Sequence, residues 1–212
     1  MQKKPSHSYP RRPGPPQQVR IIGGAWKRSL LPVLDALGLR PTPDRVRETV
    51  FNWINHQIDA NWHQADCLDL FAGSGALGFE AASRGARSVT MVDSVGAVAR
   101  QLELIKDKLN ATNVKVLRAD ALVLARDLAQ RGQRFDVIFL DPPYQQDLLS
   151  QVLPLCAQLL KEGGLLYAES GERLPFPEPE DEAAVAPDWL QDWELVRGDK
   201  AGMVYYHLLK LH

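Results

Sequence analysis

The sequence predicts an α/β fold: one doubly wound, mostly parallel seven-stranded sheet that ends in a C-terminal antiparallel hairpin, preceded by a small N-terminal extension. From residue 66 onward, short apolar runs alternate with stretches long enough for helices. Strands buried on both faces and joined by helical crossovers pair in parallel. Near the C-terminus the alternation stops, and Trp193–Arg197, Gly198–Gly202 and Val204–Leu209 read as strand, turn and strand. At 212 residues the chain has material for one sizeable core and an appendage.

Taken in order, residues 1–18 are basic and Pro-rich, with too little apolar surface to fold alone. Val19–Leu31 suggests a hairpin around Gly23-Gly24. Thr42-Pro43 reads as a helix start, with a hydroxyl cap followed by proline at the first helical position. Val46, Val50, Trp53, Ile54 and Ile58 supply that helix's apolar face. Strands follow at Cys67–Phe71, Val89–Val92, Val114–Leu117, Asp136–Leu140 and Leu165–Ala168, with helices at about Ala76–Ser83, Val95–Leu109, Ala121–Arg131 and Leu148–Lys161. A Pro- and acid-rich loop, Pro175–Pro187, leads into the final hairpin. The expected units are a tail over 1–18, a hairpin-and-helix extension over 19–60 and a sheet domain over 61–212.

Hydrophobic residues at 45% and charged residues at 24% are the balance of an ordinary globular protein. No apolar run is long enough to span a bilayer, and Met1–Arg20 lacks the apolar core of a signal peptide. Cys67 and Cys156 lie in apolar stretches without partner spacing, as small buried residues of a reducing compartment do. The expected address is the cytoplasm, and no membrane partner is expected. The five histidines have no metal-ligand spacing, and Ser74 has no G-x-S-x-G around it. Neither a metal nor a covalent mechanism is indicated.

The net charge of -1 hides an asymmetry: residues 1–50 carry ten Lys/Arg against three acids, leaving 15 basic against 23 acidic residues beyond. A basic N-terminal quarter on an acidic body suggests a polyanionic partner such as nucleic acid. Arg20, Lys27, Arg28, Arg40, Arg45 and Arg47 are the candidate phosphate ligands. Arg45 and Arg47, two apart on a helix, cannot face one way, so one is expected at the core edge. Glu48 offers Arg45 an ordinary ion pair instead.

Asp69-Leu70-Phe71-Ala72-Gly73-Ser74-Gly75-Ala76-Leu77-Gly78 lies at the end of the first sheet strand. Gly73, Gly75 and Gly78 fit G-x-G-x-x-G, which brings a ligand close to backbone near a helix N-terminus. This fits a dinucleotide as well as S-adenosylmethionine, and a tight turn alone also needs glycine. Asp69 favours a ligand carrying a sulfonium and an ammonium over a pyrophosphate. Asp93, at the end of the second strand, suits the two hydroxyls of a nucleoside ribose, or caps the next helix. Asp120-Ala121 recurs at the third strand end, reaching an adenine amino group or capping a helix.

Asp141-Pro142-Pro143-Tyr144 follows the apolar fourth strand. Two prolines fix the backbone and offer no N–H, so the Asp141 carboxylate and the Pro142 carbonyl can converge as acceptors. An exocyclic base amine donates two hydrogens, and accepting both orients its lone pair toward a methyl donor. Tyr144 offers a flat face to an unstacked base. Five parallel strands, a hairpin and this motif are together the layout of a Rossmann-like class I methyltransferase.

Arg20-Ile21-Ile22-Gly23-Gly24, Arg40-Pro41-Thr42-Pro43-Asp44-Arg45-Val46-Arg47-Glu48, Phe51-Asn52-Trp53, Asp69–Gly78 and Asp141–Tyr144 resemble the bacterial RsmD family. That resemblance implies methylation of the N2 amine of one guanine in small-subunit ribosomal RNA. It also implies S-adenosylmethionine as cofactor, S-adenosylhomocysteine as product and no metal. Asp69, Phe71, Ala72, Gly73, Ser74, Gly75, Asp93, Asp120 and Ala121 would line the cofactor site, and Asp141, Pro142, Pro143 and Tyr144 would hold the guanine. The substrate is expected to be ribosomal RNA in an assembled or partly assembled particle, and the enzyme a monomer.

An adenine-N6 or cytosine-N4 amino-methyltransferase uses the same Asp-Pro-Pro-Tyr logic, but its DNA-directed members usually carry a separate recognition domain. A glutamine-N5 protein methyltransferase typically has Asn in place of Asp141. An NAD-dependent oxidoreductase accounts for the glycines and Asp93 but leaves Asp141–Tyr144 and the basic N-terminus without purpose. A non-catalytic RNA-binding relic would be expected to have lost Asp141 or the glycine loop.

Overall fold

The computed structural model describes residues 18–34, 42–143, 148–177 and 185–212. Two short strands, β1 (Gln18–Arg20) and β2 (Leu30–Pro32), pair antiparallel, and α1 (Asp44–Gln57) follows. Then come β3 (Asp66–Asp69), α2 (Ala76–Ser83), β4 (Ser88–Asp93), α3 (Gly96–Leu109), β5 (Val114–Arg118), α4 (Ala121–Gln130), β6 (Phe135–Leu140), α5 (Leu149–Ala157), β7 (Leu160–Ser170), β8 (Trp193–Ala201) and β9 (Val204–Leu211). The sheet has the order β5-β4-β3-β6-β7-β9-β8. β3 to β7 run parallel, and β9 is antiparallel to both β7 and β8. The fold is therefore the Rossmann-like class I methyltransferase fold, the hairpin slotting its last strand between β7 and β8.

Double winding follows from strand alternation. Cys67, Val137, Phe139, Leu165 and Tyr167 face a core with α1, α2, α3 and the first hairpin. Leu68, Ile138, Leu140, Leu166 and Ala168 face another with α4, α5 and Trp193. The extension is not peripheral: Val19, Ile21, Leu31, Val46, Val50, Phe51 and Ile54 belong to the first core. Trp53 stacks on Tyr206 with ring centroids 5.5 Å apart, seating α1 on β9. Both cysteines are free and buried.

Two expectations about boundaries are corrected. β7 starts at Leu160, taking Leu160 and Lys161 from the expected helix, because Leu160 pairs with Phe135 across an irregular register. Thr42 does not cap α1: the helix begins after Pro43, no side chain caps it, and the Thr42 hydroxyl donates instead to Glu169 Oε1 at 2.5 Å. The tail up to residue 17 and most of the acidic loop, 178–184, lie outside the described residues.

At the N-terminal edge of the sheet, Lys161 Nζ donates to Asp136 Oδ2 at 2.7 Å and to Asp66 Oδ2 at 3.1 Å, and Arg87 and Ser88 also bond Asp66. The Arg87 hydrogen bonds hold the Asp66 carboxyl well below the usual carboxylate range. The network ties together the starts of β3, β4, β6 and β7, leaving the opposite edge for ligands.

Candidate active site

The C-terminal edge of the sheet gathers the chemistry. β3 and β6 are adjacent, with Asp69 opposite Phe139 and the Leu70 N–H donating to the Phe139 carbonyl at 3.2 Å. The glycine turn and Asp141 therefore leave the sheet side by side. Open α/β sheets bind ligands at such carboxyl ends.

Asp69 is 1% exposed. Its Oδ2 accepts the Gly78 N–H at 3.1 Å, while Oδ1 is buried without a hydrogen-bond partner among the described residues. Burial pushes the carboxyl up to about 7, against the pull of the Gly78 and Phe71 amides. The turn is also tied to β4, since Ala72 N–H donates to the Val92 carbonyl at 2.8 Å. Gly75 has φ 78°, and a Cβ there would lie 2.6 Å from the Phe79 ring; a Cβ on Gly78 would meet Met91 at 2.8 Å. Two of the three fingerprint glycines thus also serve the packing of α2. Phe71, Gly73 and Ser74 are half-buried, and Ala72 is buried.

Asp93 Oδ2 accepts the Gly73 N–H at 3.1 Å, and Oδ1 accepts the Val95 N–H at 2.8 Å. The carboxylate holds both the glycine turn and the amide of Val95, the residue before α3, and each oxygen keeps a lone pair for a further donor. Asp120 Oδ1 accepts the Val123 N–H at 2.9 Å, capping α4, whose first residue, Ala121, is buried. Asp141 is half-buried, Pro142 buried and Pro143 exposed. Tyr144 lies outside the described residues, as does Arg40.

Among the basic candidates the structure separates two groups. Lys27, Arg28 and Arg45 are exposed, with Lys27 and Arg28 in the turn between β1 and β2. Arg20 is exposed, but its guanidinium donates to Asp44 Oδ2 at 2.8 Å. Arg47 is corrected outright. It is 0% exposed, donates to Asp44 Oδ1 at 2.6 Å, to the Arg20 carbonyl at 2.7 Å and to the Thr42 carbonyl at 3.3 Å, and lies 3.8 Å from Glu80. A guanidinium enclosed in this way has no path to a phosphate; it stitches α1 to the first hairpin. No Arg45–Glu48 pair is found among the described ion pairs.

Sequence reasoning missed Glu80, which is 0% exposed on α2. Its carboxylate accepts the Ile22 N–H at 2.7 Å, the Gly23 N–H at 2.9 Å and Arg84 Nε at 2.8 Å. Ser83 beside it bonds both the Gly23 carbonyl and the Trp26 N–H. The Arg-Ile-Ile-Gly-Gly segment is thus a docking strap for the extension. No local signal marks this docking role, because the two amides that Glu80 holds lie 58 and 57 residues away.

A protein family described as conserved hypothetical protein 95 matches residues 19–210. The chain is 42% identical over 206 residues to the ribosomal RNA small subunit methyltransferase D of Escherichia coli K12, covering 97% of this chain and 93% of that protein. Among solved structures, a putative methyltransferase yhhF from Escherichia coli superimposes with TM-score 0.75 at 39% identity, covering 92% of this chain and 98% of that one. A more distant structure, SMU.776, a putative methyltransferase complexed with SAH, shares the fold: TM-score 0.66, 16% identity, 97% of this chain and 58% of that one.

Proposed function

The chain belongs to the RsmD family of ribosomal RNA small subunit methyltransferases, and on that premise we propose that it methylates the N2 amine of one guanine in small-subunit ribosomal RNA. The observation that carries this reading is the pairing of β3 with β6, which sets the Asp69–Gly78 turn beside Asp141 at one sheet edge. S-adenosylmethionine fits the first of these. The buried Asp69 Oδ1, without a hydrogen-bond partner among the described residues, suits a cationic ligand, and Asp93 and Asp120 retain acceptor capacity for ribose and adenine donors.

The cofactor supplies an electrophilic methyl group. The protein's part is orientation. Asp141 and the Pro142 carbonyl accept the two hydrogens of the guanine amine, turning its lone pair toward the methyl carbon. As the amine gains the methyl and becomes cationic, the Asp141 carboxylate stabilises it and is the acceptor for the proton it sheds. Tyr144 supports the unstacked base from one face. Lys27, Arg28 and Arg45, with Arg20 beside them, meet the RNA phosphates. The substrate is a folded or assembled ribosomal particle, whose shape supplies specificity beyond the contacts to one flipped-out base. The proposal includes a monomeric, cytoplasmic enzyme that needs no metal.

Mass spectrometry of ribosomal RNA nucleosides from a strain lacking the gene tests this. One N2-methylguanosine should disappear from the small subunit. Loss of an N6-methyladenine or N4-methylcytosine instead would move the chain to the other amino-methyltransferases, and an unchanged nucleoside profile would overturn the reading.

A further inference from the structure

We infer that Glu169 is a positioning residue which, through Thr42, locks the start of α1 and the basic extension behind it to the strand ends that carry Asp141. The inference rests on the methyl-transfer reading above.

The Thr42 hydroxyl and the Tyr167 hydroxyl both donate to Glu169 Oε1, at 2.5 and 2.8 Å. Thr42 is 6% exposed, Glu169 1% and Tyr167 0%. Parallel register pairs Leu140, the last residue of β6, with Ala168 of β7, so Asp141 leaves the sheet where Glu169 continues β7. One residue earlier on each strand, Phe139 and Tyr167 meet edge to face, 6.4 Å between ring centroids. Glu169 therefore stands one strand over from the residue assigned to the guanine amine, and its partner Thr42 stands two residues before α1.

What Thr42 gives up is informative. A threonine before a helix ordinarily bonds an amide of the first turn, yet α1 has no side-chain cap and Thr42 spends its hydroxyl on a strand 127 residues away. Local preference yielding to a buried long-range bond is expected where function sets the geometry. The first turn of α1 also carries Arg45 and the Asp44–Arg20 pair. A rigid link between that turn and β7 makes the RNA-facing surface and the amine-binding loop move as one body. RNA bound on the extension then presents its guanine to Asp141 in register.

The test uses the full chain with Thr42→Val, which keeps the shape and removes the hydroxyl, and Thr42→Ser, which retains it. Four readouts are needed: single-turnover methylation of small-subunit particles lacking the modification, particle affinity, S-adenosylhomocysteine affinity, and amide hydrogen exchange. Thr42→Val should slow the single-turnover rate ~10-fold or more, since small misplacements of reacting groups are costly. Both affinities should stay within about twofold, the mark of an effect confined to the reacting geometry. Exchange should quicken together in the first turn of α1 and at the end of β6 while the protein stays folded. Thr42→Ser should recover the rate to within about twofold. Should Thr42→Val prove too unstable, Glu169→Gln replaces it, with an expected rate loss of roughly threefold because a neutral acceptor is weaker.

A wild-type rate in Thr42→Val, or faster exchange confined to α1, overturns the positioning role. So does a loss of cofactor affinity that parallels the loss of rate, which marks plain destabilisation. Wild-type protein inactive on the particles would instead overturn the methyl-transfer reading, while the exchange comparison still decides the link.

Discussion

A carboxylate buried away from solvent is a poor anion, and Asp69 is placed in that position: burial pushes its carboxyl up to about 7. Its folded pKa is raised above the unfolded value near 4, so its contribution to stability is whole below about pH 4 and is lost as pH rises to about 7. Ligand-free protein should therefore lose stability relative to Asp69→Asn between about pH 4 and pH 7, with the difference flat above that. Denaturation of both proteins across this range checks it, and a pH-independent difference would mean that Asp69 is ionised throughout. Asp141 behaves differently because its role begins with substrate. Asp141→Ala should lower the single-turnover rate by roughly two orders of magnitude or more, a loss of a few kcal/mol of transition-state stabilisation. S-adenosylhomocysteine affinity, measured by calorimetry, should barely change. A near-wild-type rate would remove Asp141 from the chemistry.

Among elements, α2 does more than open the cofactor turn. Its N-terminal half meets Asp69 through the Gly78 amide, and its C-terminal half holds the extension through Glu80 and Ser83. Arg84 closes the arrangement, lying 4.9 Å over the Phe51 ring of α1. Removing the carboxylate of Glu80 strands two amides and leaves Arg47 with less compensation. Burial already pulls the Arg47 pKa down, with Asp44 and Glu80 opposing that fall. Breaking one partner of a buried charge group typically costs about 3–5 kcal/mol. Glu80→Ala should therefore reduce the unfolding free energy by several kcal/mol in urea denaturation, with Glu80→Gln milder because its amide oxygen still accepts one N–H. Loss of under about 0.5 kcal/mol, the range of an ordinary surface substitution, would contradict the docking role.

For the whole molecule, the question is how a compact enzyme meets RNA. The extension shares the sheet's core, so its exposed cations are presented on a rigid platform. Phosphate contacts release counterions, and each one lost should flatten the salt dependence by roughly 0.7–0.9 log units per log unit of salt. Lys27→Ala, Arg28→Ala and Arg45→Ala combined should weaken particle binding and flatten its salt slope while leaving S-adenosylhomocysteine affinity intact. Arg47→Ala should lower the melting temperature without touching that slope. Binding isotherms over a salt series separate the two, and an unchanged slope in the triple variant would take this surface out of the RNA interface.

The sequence by itself determined the parallel sheet, the closing hairpin and the order of its motifs. Periodicity, turn glycines and the Asp141–Tyr144 run are local, and each strand's nearly unbroken apolar run already states that both faces are covered. It determined as well that Arg45 and Arg47 face different ways. Only the tertiary structure decided that Arg47 is the buried one, that Thr42 bonds a strand rather than its own helix, that Glu80 anchors the extension, and that β7 begins at Leu160. The physical reason is common to all four. A buried polar group or a strand end is settled by the partners that satisfy its hydrogen bonds, and in each case at least one of those partners lies tens to more than a hundred residues away, where no local pattern can register it.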